Sequence, residues 1–597
     1  MSGEFRGDFT RDTFNPSKHF LRVLMQQGRV QLDADFNEQT SILLNYLQNL
    51  AKDIIGTHGG PVQNLGFQIG GKDKRFDNSA ELAFDFPIGE GIYYVDGLRC
   101  ELSGKNNLSF SFTPDNTDTS NKTIILDNSE NNIPITKDNY IQLFNSNDIA
   151  LKRSKIAKVT SFEDVEVDTQ NKKKLVLDIA LEISENYNFI RKVHSSYKNQ
   201  PFQPQNLPAI PGSYFIYLDV WERHITSIEE PEVYPSILEK ALGGIDTTTR
   251  SELVYQVKTK KINIPESAQP GAGAGDGDGA GDGDGAGDGD GDGTPADPFI
   301  ELVNGFKNNH HKFIEELLKP KKLGYGRLRA KVNNSEARNR DDDICSAPEV
   351  TGYRGLENRL YRVEIVDIEN ENAIFVWSRE NSSIAIPIDR YIGARDVNDD
   401  TKEYEFELGS VHASKYNSLR NASCVEVLSN DNVFKGKKRR FFKIQEPIEK
   451  GGNQIRLVSL SNDELDFSNF NDEEKSPILR IWDSAPQNYK EGEEKGWIEL
   501  EDGIFVKFED ISNKFEDNSN QYQVGDYWLI PARASSENIE WPKNGENEPQ
   551  AILPHGIDHH YALLAIATIE RNDDSSLIIS EIFDCRRSYE QSAKPLE

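Results

Sequence analysis

The sequence is poor in cysteine and has no long apolar run. Its 597 residues include four cysteines, Cys100, Cys345, Cys424 and Cys585, and none of them belongs to a C-x-x-C pair. Cysteines so widely spaced indicate reduced thiols rather than a disulfide framework or a zinc site. No window approaches the ~18 uncharged apolar residues of a membrane span. The charged opening MSGEFRGDFTRD lacks an apolar signal-peptide core, so we expect synthesis in a cytoplasm without membrane insertion.

Positive charge is also scarce, with 68 Lys and Arg against 99 Asp and Glu and a net charge of −31. A phosphate backbone needs a cationic footprint, so the composition excludes a nucleic-acid partner. It also argues against docking on an anionic membrane surface. A charge of this size favours solubility and keeps copies of the chain apart except at specific contacts.

Part of the negative charge lies in residues 271–293, where glycine fills every odd position and only Ala or Asp fills the even ones. The segment has no side chain to bury, so its composition predicts a flexible linker. We place the ends of this linker at residues 266 and 298. An Asp-x-Asp-x-Asp-Gly run from Asp288 matches the opening of a calcium-binding EF-hand loop, but its twelfth position is Phe299. An EF-hand needs a bidentate acid there, so a plain linker is favoured over a calcium site.

Recognised catalytic signatures are absent as well. The sequence contains no G-x-S-x-G, G-x-x-x-x-G-K-[ST], H-E-x-x-H or dinucleotide motif. The best metal or catalytic candidate is PHGIDHHYALLA, residues 554–565, with His555, His559 and His560. Two of these imidazoles would share a metal only on a helix, which the neighbouring proline and glycine oppose, so a structural turn is favoured. The WERH run, residues 221–224, permits an acid–base cluster, but the alternating faces of a strand explain it as well. We therefore predict no catalytic residue, no metal and no cofactor, and we expect a protein that is not an enzyme.

The first sixty residues contain the clearest helix pattern. Apolar side chains recur there at helical spacing, at Leu32, Phe36, Leu43, Leu47, Leu50 and Ile54. Gly56 and the Gly-Gly-Pro run at 59–61 predict the end of the helix. Such an apolar stripe must be buried either on the chain's own body or on a partner.

From about residue 62 onward the sequence predicts β structure. GIYYVDGLRCEL, residues 91–102, has Asp96-Gly97 between two apolar arms, which is a strong two-residue hairpin signal. Many short apolar runs separated by turn residues follow, as is typical of sandwiches and small barrels. The predicted fold class is therefore mainly β and multi-domain, with sandwich or small-barrel modules and an N-terminal helical segment.

Two charged clusters stand out within the β pattern. Three arginines alternate with Glu357 and Glu364 between residues 354 and 364, which predicts ion pairing on a sheet surface or at an interface. KGKKRR, residues 435–440, is the one basic run of the sequence. On so acidic a chain it indicates a hairpin tip or a docking patch for an acidic neighbouring subunit.

Several blocks of the sequence resemble a known family. FRGDFTRDTFNP (5–16) and VLMQQGRVQLDADFNEQ (23–39) are similar to the opening of a family of bacterial proteins associated with contractile phage-tail-like particles. Further blocks follow in the family's order: GIYYVDGLRCEL, DVWERHITSIEEPEVY (219–234), ALGGIDTTTRSELVYQVK (241–258), YGRLRA (325–330), GYRGLENRLYRVEI (352–365), FVWSRENSS (375–383), GDYWLIPARA (525–534), IEWP (539–542) and PHGIDHHYALLA. The Gly–Asp linker departs from this pattern as an insertion between two intact blocks.

The resemblance implies a structural assembly subunit of an extracellular contractile injection system. Its place would be the baseplate region, a baseplate-attached fibre, or a terminal cap or adaptor. The implied partners are the other subunits of the particle and further copies of this chain, and the particle is released from the bacterial cell. The resemblance implies no catalytic residues. Two alternatives stay open, namely a secreted carbohydrate-binding or hydrolytic surface protein with tryptophans as sugar platforms, and a cargo or effector carried by the particle.

Residues expected at an interface lie mostly near the N-terminus, where buried aromatic anchors would concentrate binding energy. They are Phe5, Phe9, Phe14, Phe20, Leu32, Phe36, Leu43, Leu47 and Leu50, together with Arg354, Arg359 and Arg362. The N-terminal segment either anchors the chain to a partner or caps the chain's own β domain. The predicted domains are an N-terminal anchor (1–60), a β domain with polar loops (61–200), a β segment with the WERH run (201–265), the linker (266–298), and two further β domains (299–440 and 441–597).

Overall fold

The structure is a computed structural model. It describes residues 5–70, 85–102, 109–114, 118–126, 135, 137, 139–144, 155–167, 170–181, 187–193, 195–202, 210–229, 238–239, 245–262, 299, 303–304, 326–333, 352–369, 372–398, 401–409, 413–446, 453–460, 467, 470, 476–488, 496–509, 522–571 and 577–589. The predicted linker at 266–298 and Cys345 lie outside the described residues.

The chain divides into two compact units, each assembled from separate stretches of sequence. Unit 1 comprises Met1–Leu47, Trp221–Val254 and Lys321–His559. Unit 2 comprises Gln48–Val220, Tyr255–Pro320 and His560–Glu597.

Helices are few among the described residues. The α-helices are α1 (Asp33–Ile55), α2 (Ala413–Arg420) and α3 (Asn430–Lys435), and short 3-10 helices cover Pro16–Lys18, Val62–Asn64 and Ala534–Ser536. None of the described helices is both long enough and apolar enough to span a membrane.

Strands make up most of the described secondary structure. Those up to residue 261 are β1 (His58–Pro61), β2 (Pro87–Ile88), β3 (Gly91–Val95), β4 (Leu98–Leu102), β5 (Ser109–Pro114), β6 (Thr123–Leu126), β7 (Tyr140–Phe144), β8 (Lys155–Val167), β9 (Gln170–Leu177), β10 (Phe189–Val193), β11 (Ser195–Ser196), β12 (Gly212–Ile225), β13 (Leu238–Glu239), β14 (Ile245–Asp246) and β15 (Arg250–Lys261). Those that follow are β16 (Arg327–Val332), β17 (Arg359–Glu369), β18 (Asn372–Ser378), β19 (Ala385–Asn398), β20 (Thr401–Leu408), β21 (Cys424–Leu428), β22 (Arg440–Glu446), β23 (Gln454–Ser459), β24 (Ile478–Trp482), β25 (Gln487–Asn488), β26 (Ile498–Glu499), β27 (Ile504–Glu509), β28 (Tyr527–Arg533), β29 (Asn538–Ile539), β30 (His560–Arg571), β31 (Leu577–Asp584) and β32 (Ser588–Tyr589).

Unit 2 contains a closed barrel with the strand order β10-β5-β6-β9-β8-β7. Alternate residues of its strands point inward, and this period of two fills the barrel with aliphatic side chains. The innermost ones are Ile124, Leu126, Ile141, Leu143, Leu175 and Ile190. Two four-stranded sheets, β32-β1-β3-β4 and β15-β12-β30-β31, and the pair β11-β2 complete the described sheets of this unit.

Unit 1 contains a second closed barrel, β19-β20-β23-β22-β21-β24, and two open sheets. The open sheets are β25-β18-β17-β28-β29 and β16-β27-β26, and a short pair, β13-β14, stands apart from them. Side chains of β16, β17, β18, β27 and β28 share one hydrophobic core, so the two open sheets form a sandwich. Trp528 at 0% exposure lies within this core.

The structure confirms the predicted mainly β class with barrel and sandwich modules and an N-terminal helix. The helix predicted from the apolar repeat is α1. The predicted hairpin is β3–β4, in which Val95 pairs with Leu98. Asp96 and Gly97 have φ of +47° and +83°, as a two-residue turn that matches the strand twist requires.

Candidate functional site

The N-terminal segment is bound to the β body of unit 1. Arg6 is 4% exposed, and its Nη2 lies 2.7 Å from Oε1 of Glu364 on β17. Its guanidinium also lies 5.6 Å from the ring of Trp482 at the end of β24. A charged side chain is buried this deeply only when it is paired, so the ion pair fixes the position of the segment.

Glu364 belongs to a buried network of carboxylates and arginines. Its Oε2 accepts a hydrogen bond of 2.5 Å from Nε of Arg362, two residues away on the same face of β17. Its Oε1 also accepts from Nη1 of Arg439. Arg439 binds both carboxylate oxygens of Glu426 on β21, at 2.6 and 2.8 Å. The network therefore joins the sandwich strand β17 to the barrel strand β21 within unit 1.

The network keeps its carboxylates ionised. Burial alone would raise the pKa of Glu364, but the guanidinium groups of Arg362, Arg6 and Arg439 hold that pKa well below its usual value. Burial acts in the same upward direction on Glu426, and its pKa is lowered chiefly by Arg439. Removing one of these five side chains would leave buried charges without a counter-ion. The burial of each therefore depends on the presence of the others.

A strained turn receives the backbone of the N-terminal segment. Asn381 and Ser382 have φ of +51° and +54°, which residues other than glycine seldom adopt. The Asn381 Nδ2 donates to the carbonyl oxygens of Phe5 at 3.2 Å and Gly7 at 2.9 Å. Nη1 of Arg362 donates to the carbonyl of Phe5 as well, at 3.2 Å. The strained turn therefore makes the specific hydrogen bonds that hold residues 5–7.

Two of the predicted interface aromatics pack inside the chain itself. The rings of Phe5 and Phe9 approach His224 edge-on, with centroids 6.1 and 6.3 Å away. His224 is buried on β12, in the WERH run. Phe14 is half-buried, whereas Phe20 is exposed. The segment thus caps its own unit up to about residue 14.

Helix α1 is held at its first turns by the segment that precedes it. The carboxylate of Asp33 accepts from the backbone N–H of Thr10 at 2.8 Å and from the Thr10 hydroxyl. Thr13 donates to Glu38 at 2.6 Å, and Gln39 accepts from the N–H of Val23 at 2.8 Å. The residues before the helix are therefore tied to it at three points.

The last turns of α1, from Gln48 onward, belong to unit 2 and contact the β3–β4 hairpin of the same unit. Lys52 Nζ lies 2.7 Å from Oδ1 of Asp96, and Gln48 donates to the Asp96 carbonyl at 3.1 Å. Oδ2 of Asp96 lies 3.0 Å from Nδ1 of His560. Burial would raise the pKa of Asp96, but hydrogen bonds from His560 and Lys52 lower it. A Cβ at Gly97 would overlap the carbonyl oxygen of Gln48, so glycine is required for this close approach.

The apolar stripe of α1 is exposed along its length. We use "apolar face" for the exposed large apolar side chains of α1 together with that of Leu32, the residue just before it. They are Leu32, Phe36, Leu43, Leu44, Tyr46, Leu47, Leu50 and Ile54. Phe36 is 64% exposed and Ile54 is 73% exposed. The residues by which α1 packs on the body are others, chiefly Ala34 and Ile42. Contiguous exposed apolar surface of this kind marks interaction sites.

The predicted arginine cluster divides between surface and interior. Arg354 forms an exposed ion pair with Glu499 at 3.2 Å. Arg359 pairs with Glu357 at 2.8 Å, as its neighbourhood predicted, and also with Glu380. Arg362 pairs with Glu364 at 2.5 Å and both side chains are buried, so of the two predicted settings, a sheet surface or an interface, an exposed sheet surface does not apply to this residue.

The basic run at 435–440 forms ion pairs within unit 1. Lys435 and Lys437 both pair with Asp431 on α3, at 3.1 and 3.0 Å. Lys438 pairs with Asp367 at 3.1 Å, and the next residue, Arg439, belongs to the buried network. Much of the positive charge of this run is therefore compensated inside the chain.

The three histidines of the 554–565 block make contacts with three different residues. The ring of His555 stacks on Tyr527 with centroids 5.4 Å apart. His559 packs against Trp221 at 4.9 Å, and His560 contacts Asp96. Within the part of the chain that the structure describes, no group of three or more His, Cys, Asp or Glu side chains is placed to hold a metal ion.

The tryptophans considered as sugar platforms are mostly core residues. Of the six in the sequence, the buried ones are Trp221, Trp377, Trp482, Trp528 and Trp541. Trp497 is half-buried, and Nζ of Lys331 lies 4.4 Å from its ring centre. Trp541 is 8% exposed.

Sequence reasoning missed the residues that receive the N-terminal segment. Glu364 carries no local sign of burial, because its strand contains several other charged residues. Glu426 is the one charged residue of β21, and its neighbours in that strand do not indicate a partner. Asn381 has the one usable signal, since the Asn-Ser-Ser run between two apolar segments favours a turn with positive φ. Nothing in the local sequence, however, links that turn to Phe5 and Gly7, which lie 376 and 374 positions away.

Fold and site together define a mainly β protein with two six-stranded barrels and a helix whose apolar face is exposed. The chain belongs to DUF6519, a family of unknown function, whose model matches residues 5–140, 206–266 and 317–574. Residues 267–298 of the predicted linker fall in the unmatched interval 267–316, and the sequence blocks quoted above fall in the matched segments. Neither the curated proteins nor the solved structures contain a match to this chain.

Proposed function

We propose that this protein is a structural subunit of a contractile phage-tail-like injection particle, which it joins through the apolar face. The single observation that carries the proposal is the exposure of that face on a helix whose first turns are tied down. Thr10, Thr13 and Val23 bind its first turns, so the helix is held in place before any partner arrives. A preformed apolar surface loses little conformational entropy on binding.

The link to a contractile particle rests on the sequence blocks that resemble proteins of such particles. The N-terminal block FRGDFTRDTFNP is the one that the body of unit 1 binds, through Arg6 and the carbonyls of Phe5 and Gly7. This block therefore positions the residues that lead into α1. The baseplate region, a baseplate-attached fibre and a cap or adaptor are all compatible with such a role.

The test compares particles purified from the bacterium with and without this gene. We expect mass spectrometry to find the chain in purified wild-type particles in a fixed ratio to sheath and tube proteins. We expect electron microscopy of the deletion strain to show particles that are absent, shortened or missing one defined density. Unaltered particles from the deletion strain, with the wild-type chain recovered free of particles, would refute the proposal.

The same experiment separates the two alternative classes. A cargo would be lost from particles of unaltered structure, and its expression in target cells would be toxic. A carbohydrate-binding protein would bind a glycan array saturably and be recovered outside the particle fraction. Either result would contradict the proposed structural role and support the corresponding alternative.

A further inference from the structure

We propose that α1 pairs with the α1 helix of a second copy of this chain in an antiparallel coiled coil. The seam of that pair consists of Phe36, Thr40, Leu43, Leu47, Leu50 and Ile54, and all six side chains are exposed. The inference rests on the proposed function, because it names the partner that the apolar face takes.

The spacing of the seam points to a helix as the partner. Its positions are separated alternately by four and three residues from Phe36 to Ile54. Positions 36, 43 and 50 recur every seven residues, as do positions 40, 47 and 54, and this seven-residue repeat is the one with which two helices wind around each other. A helix that packs on a globular body shows a broader stripe with a period of about 3.6 residues. The part of α1 that does pack on the body uses Ala34 and Ile42, outside the seam.

The charge beside the seam favours a second copy of the chain. The positions that border it are Asn37, Gln39, Leu44, Tyr46, Ala51 and Asp53, and only the last carries a charge. The chain as a whole has a net charge of −31, so copies repel one another over most of their surface. This nearly neutral strip is where two copies can approach without placing like charges face to face. A self-complementary seam also meets the requirement of a two-fold interface, in which the same patch serves both copies.

The position of Asp53 selects the antiparallel orientation. In a parallel pair the two Asp53 side chains flank the seam at the same level. In the antiparallel pair Phe36 faces Ile54 of the second copy, and Leu43 faces Leu47. The two Asp53 residues then lie roughly 24 Å apart along the axis, at ~1.5 Å per residue. That separation exceeds the screening length of about 8 Å in physiological salt, and antiparallel helix dipoles attract.

Sedimentation equilibrium of the full chain tests the pairing. We expect the wild-type mass to approach twice the chain mass as concentration rises through the micromolar range. The double variant Leu43→Asp, Leu47→Asp should weaken self-association at least 100-fold and sediment as a monomer. The matched control is Leu356→Asp, because Leu356 is 97% exposed and lies outside α1, and it should associate like the wild type. A wild-type chain that stays monomeric at 100-fold higher concentration than the expected midpoint overturns the inference.

Cysteine cross-linking tests the orientation. The background replaces Cys345 by serine and keeps Cys100, Cys424 and Cys585, which are buried free thiols. A mixture of Phe36→Cys and Ile54→Cys chains should form a disulfide-linked dimer on mild oxidation, whereas each variant alone should not. Disulfide formation needs Cα atoms within about 7 Å, so the register is tested as well. Dimers formed by each variant alone indicate a parallel pair and overturn the proposal.

The outcome for self-pairing can be told apart from the outcome for the proposed function. A chain that is monomeric in solution but present in particles, and lost from them in the Leu43→Asp, Leu47→Asp variant, overturns self-pairing and leaves the structural role intact. A chain that forms the antiparallel dimer but is never found in particles keeps the self-pairing and refutes the structural role.

Discussion

Arg6 and Glu364, which are 358 positions apart in the sequence, form a 2.7 Å ion pair that is almost completely buried. Two further arginines, Arg362 and Arg439, share the same carboxylate. The N-terminal segment is therefore part of the core electrostatics of unit 1 and not a loose tail.

Replacing the buried carboxylate should destabilise unit 1 strongly. In Glu364→Gln the charges of Arg6, Arg362 and Arg439 lose a shared counter-ion inside the protein. We expect the free energy of unfolding to fall by about 3–5 kcal/mol, as for other broken buried ion pairs. Urea denaturation followed by tryptophan fluorescence measures the change. The matched control Glu499→Gln breaks the exposed pair with Arg354 and should cost less than about 1 kcal/mol.

Acid should weaken the same network. The folded-state pKa of Glu364 lies well below the 4.5 of an unperturbed glutamate, so its contribution to stability is complete above pH 4.5. That contribution is lost as the pH falls from 4.5 through the folded-state pKa. The stability difference between wild type and Glu364→Gln should therefore shrink as urea denaturation is repeated at successively lower pH. The range from about pH 6 to about pH 3 spans the pKa of an unperturbed glutamate. A stability difference that stays constant over this range would show that the charge of the Glu364 carboxylate does not cause it.

The Asn381 side chain should hold the N-terminal segment without being needed for the turn itself. Asn381→Gly retains access to the φ of +51° but loses the bonds to the carbonyls of Phe5 and Gly7. We expect amide hydrogen exchange across residues 5–14 to quicken at least tenfold, as read by mass spectrometry. Asn121→Gly is the control, because Asn121 has a similar φ of +53° and is exposed. Equal amide exchange across residues 5–14 in the two variants would show that the Asn381 side chain does not hold the N-terminal segment.

The hairpin glycine should decide whether the last turns of α1 stay in contact with the β3–β4 hairpin, which belongs to the same unit. In Gly97→Ala the new Cβ meets the backbone oxygen of Gln48, so we expect faster hydrogen exchange across residues 48–55. Gly525→Ala provides the control for backbone strain alone, because Gly525 has a φ of +98° and no atom within 4 Å of a Cβ built there. If the amides of residues 48–55 exchange equally fast in the two variants, the close approach of Gly97 to Gln48 does not hold the helix.

Local sequence signals account for the fold class and for the individual elements. The helical spacing of apolar side chains predicted α1, and Asp96-Gly97 predicted the β3–β4 turn, because both patterns act over a few residues. The division into two units, in which β12 and β15 each contribute residues to both, has no comparable local signal. It depends on which strands pair across hundreds of residues.

The candidate site shows the same limit. The sequence drew attention to Phe36, Leu43 and Leu47 because apolar residues on a helix need to be buried somewhere. It predicted ion pairing of Arg362 on a sheet surface or at an interface, because arginines alternate with glutamates around it. The burial of that pair depends on Arg6 and Arg439, which reach Glu364 from distant parts of the chain. A single sequence holds no sign of those contacts.

The most direct test of the central claim is whether the apolar face carries the chain into particles. Particles would be purified from the deletion strain complemented with wild type, with Leu43→Asp, Leu47→Asp, or with the control Leu356→Asp, all confirmed as folded by circular dichroism. Quantitative mass spectrometry would measure the ratio of the chain to sheath protein. We predict a wild-type ratio for the control and at least a tenfold lower ratio for the double variant. Equal ratios in all three would contradict the assignment of the apolar face as the assembly surface.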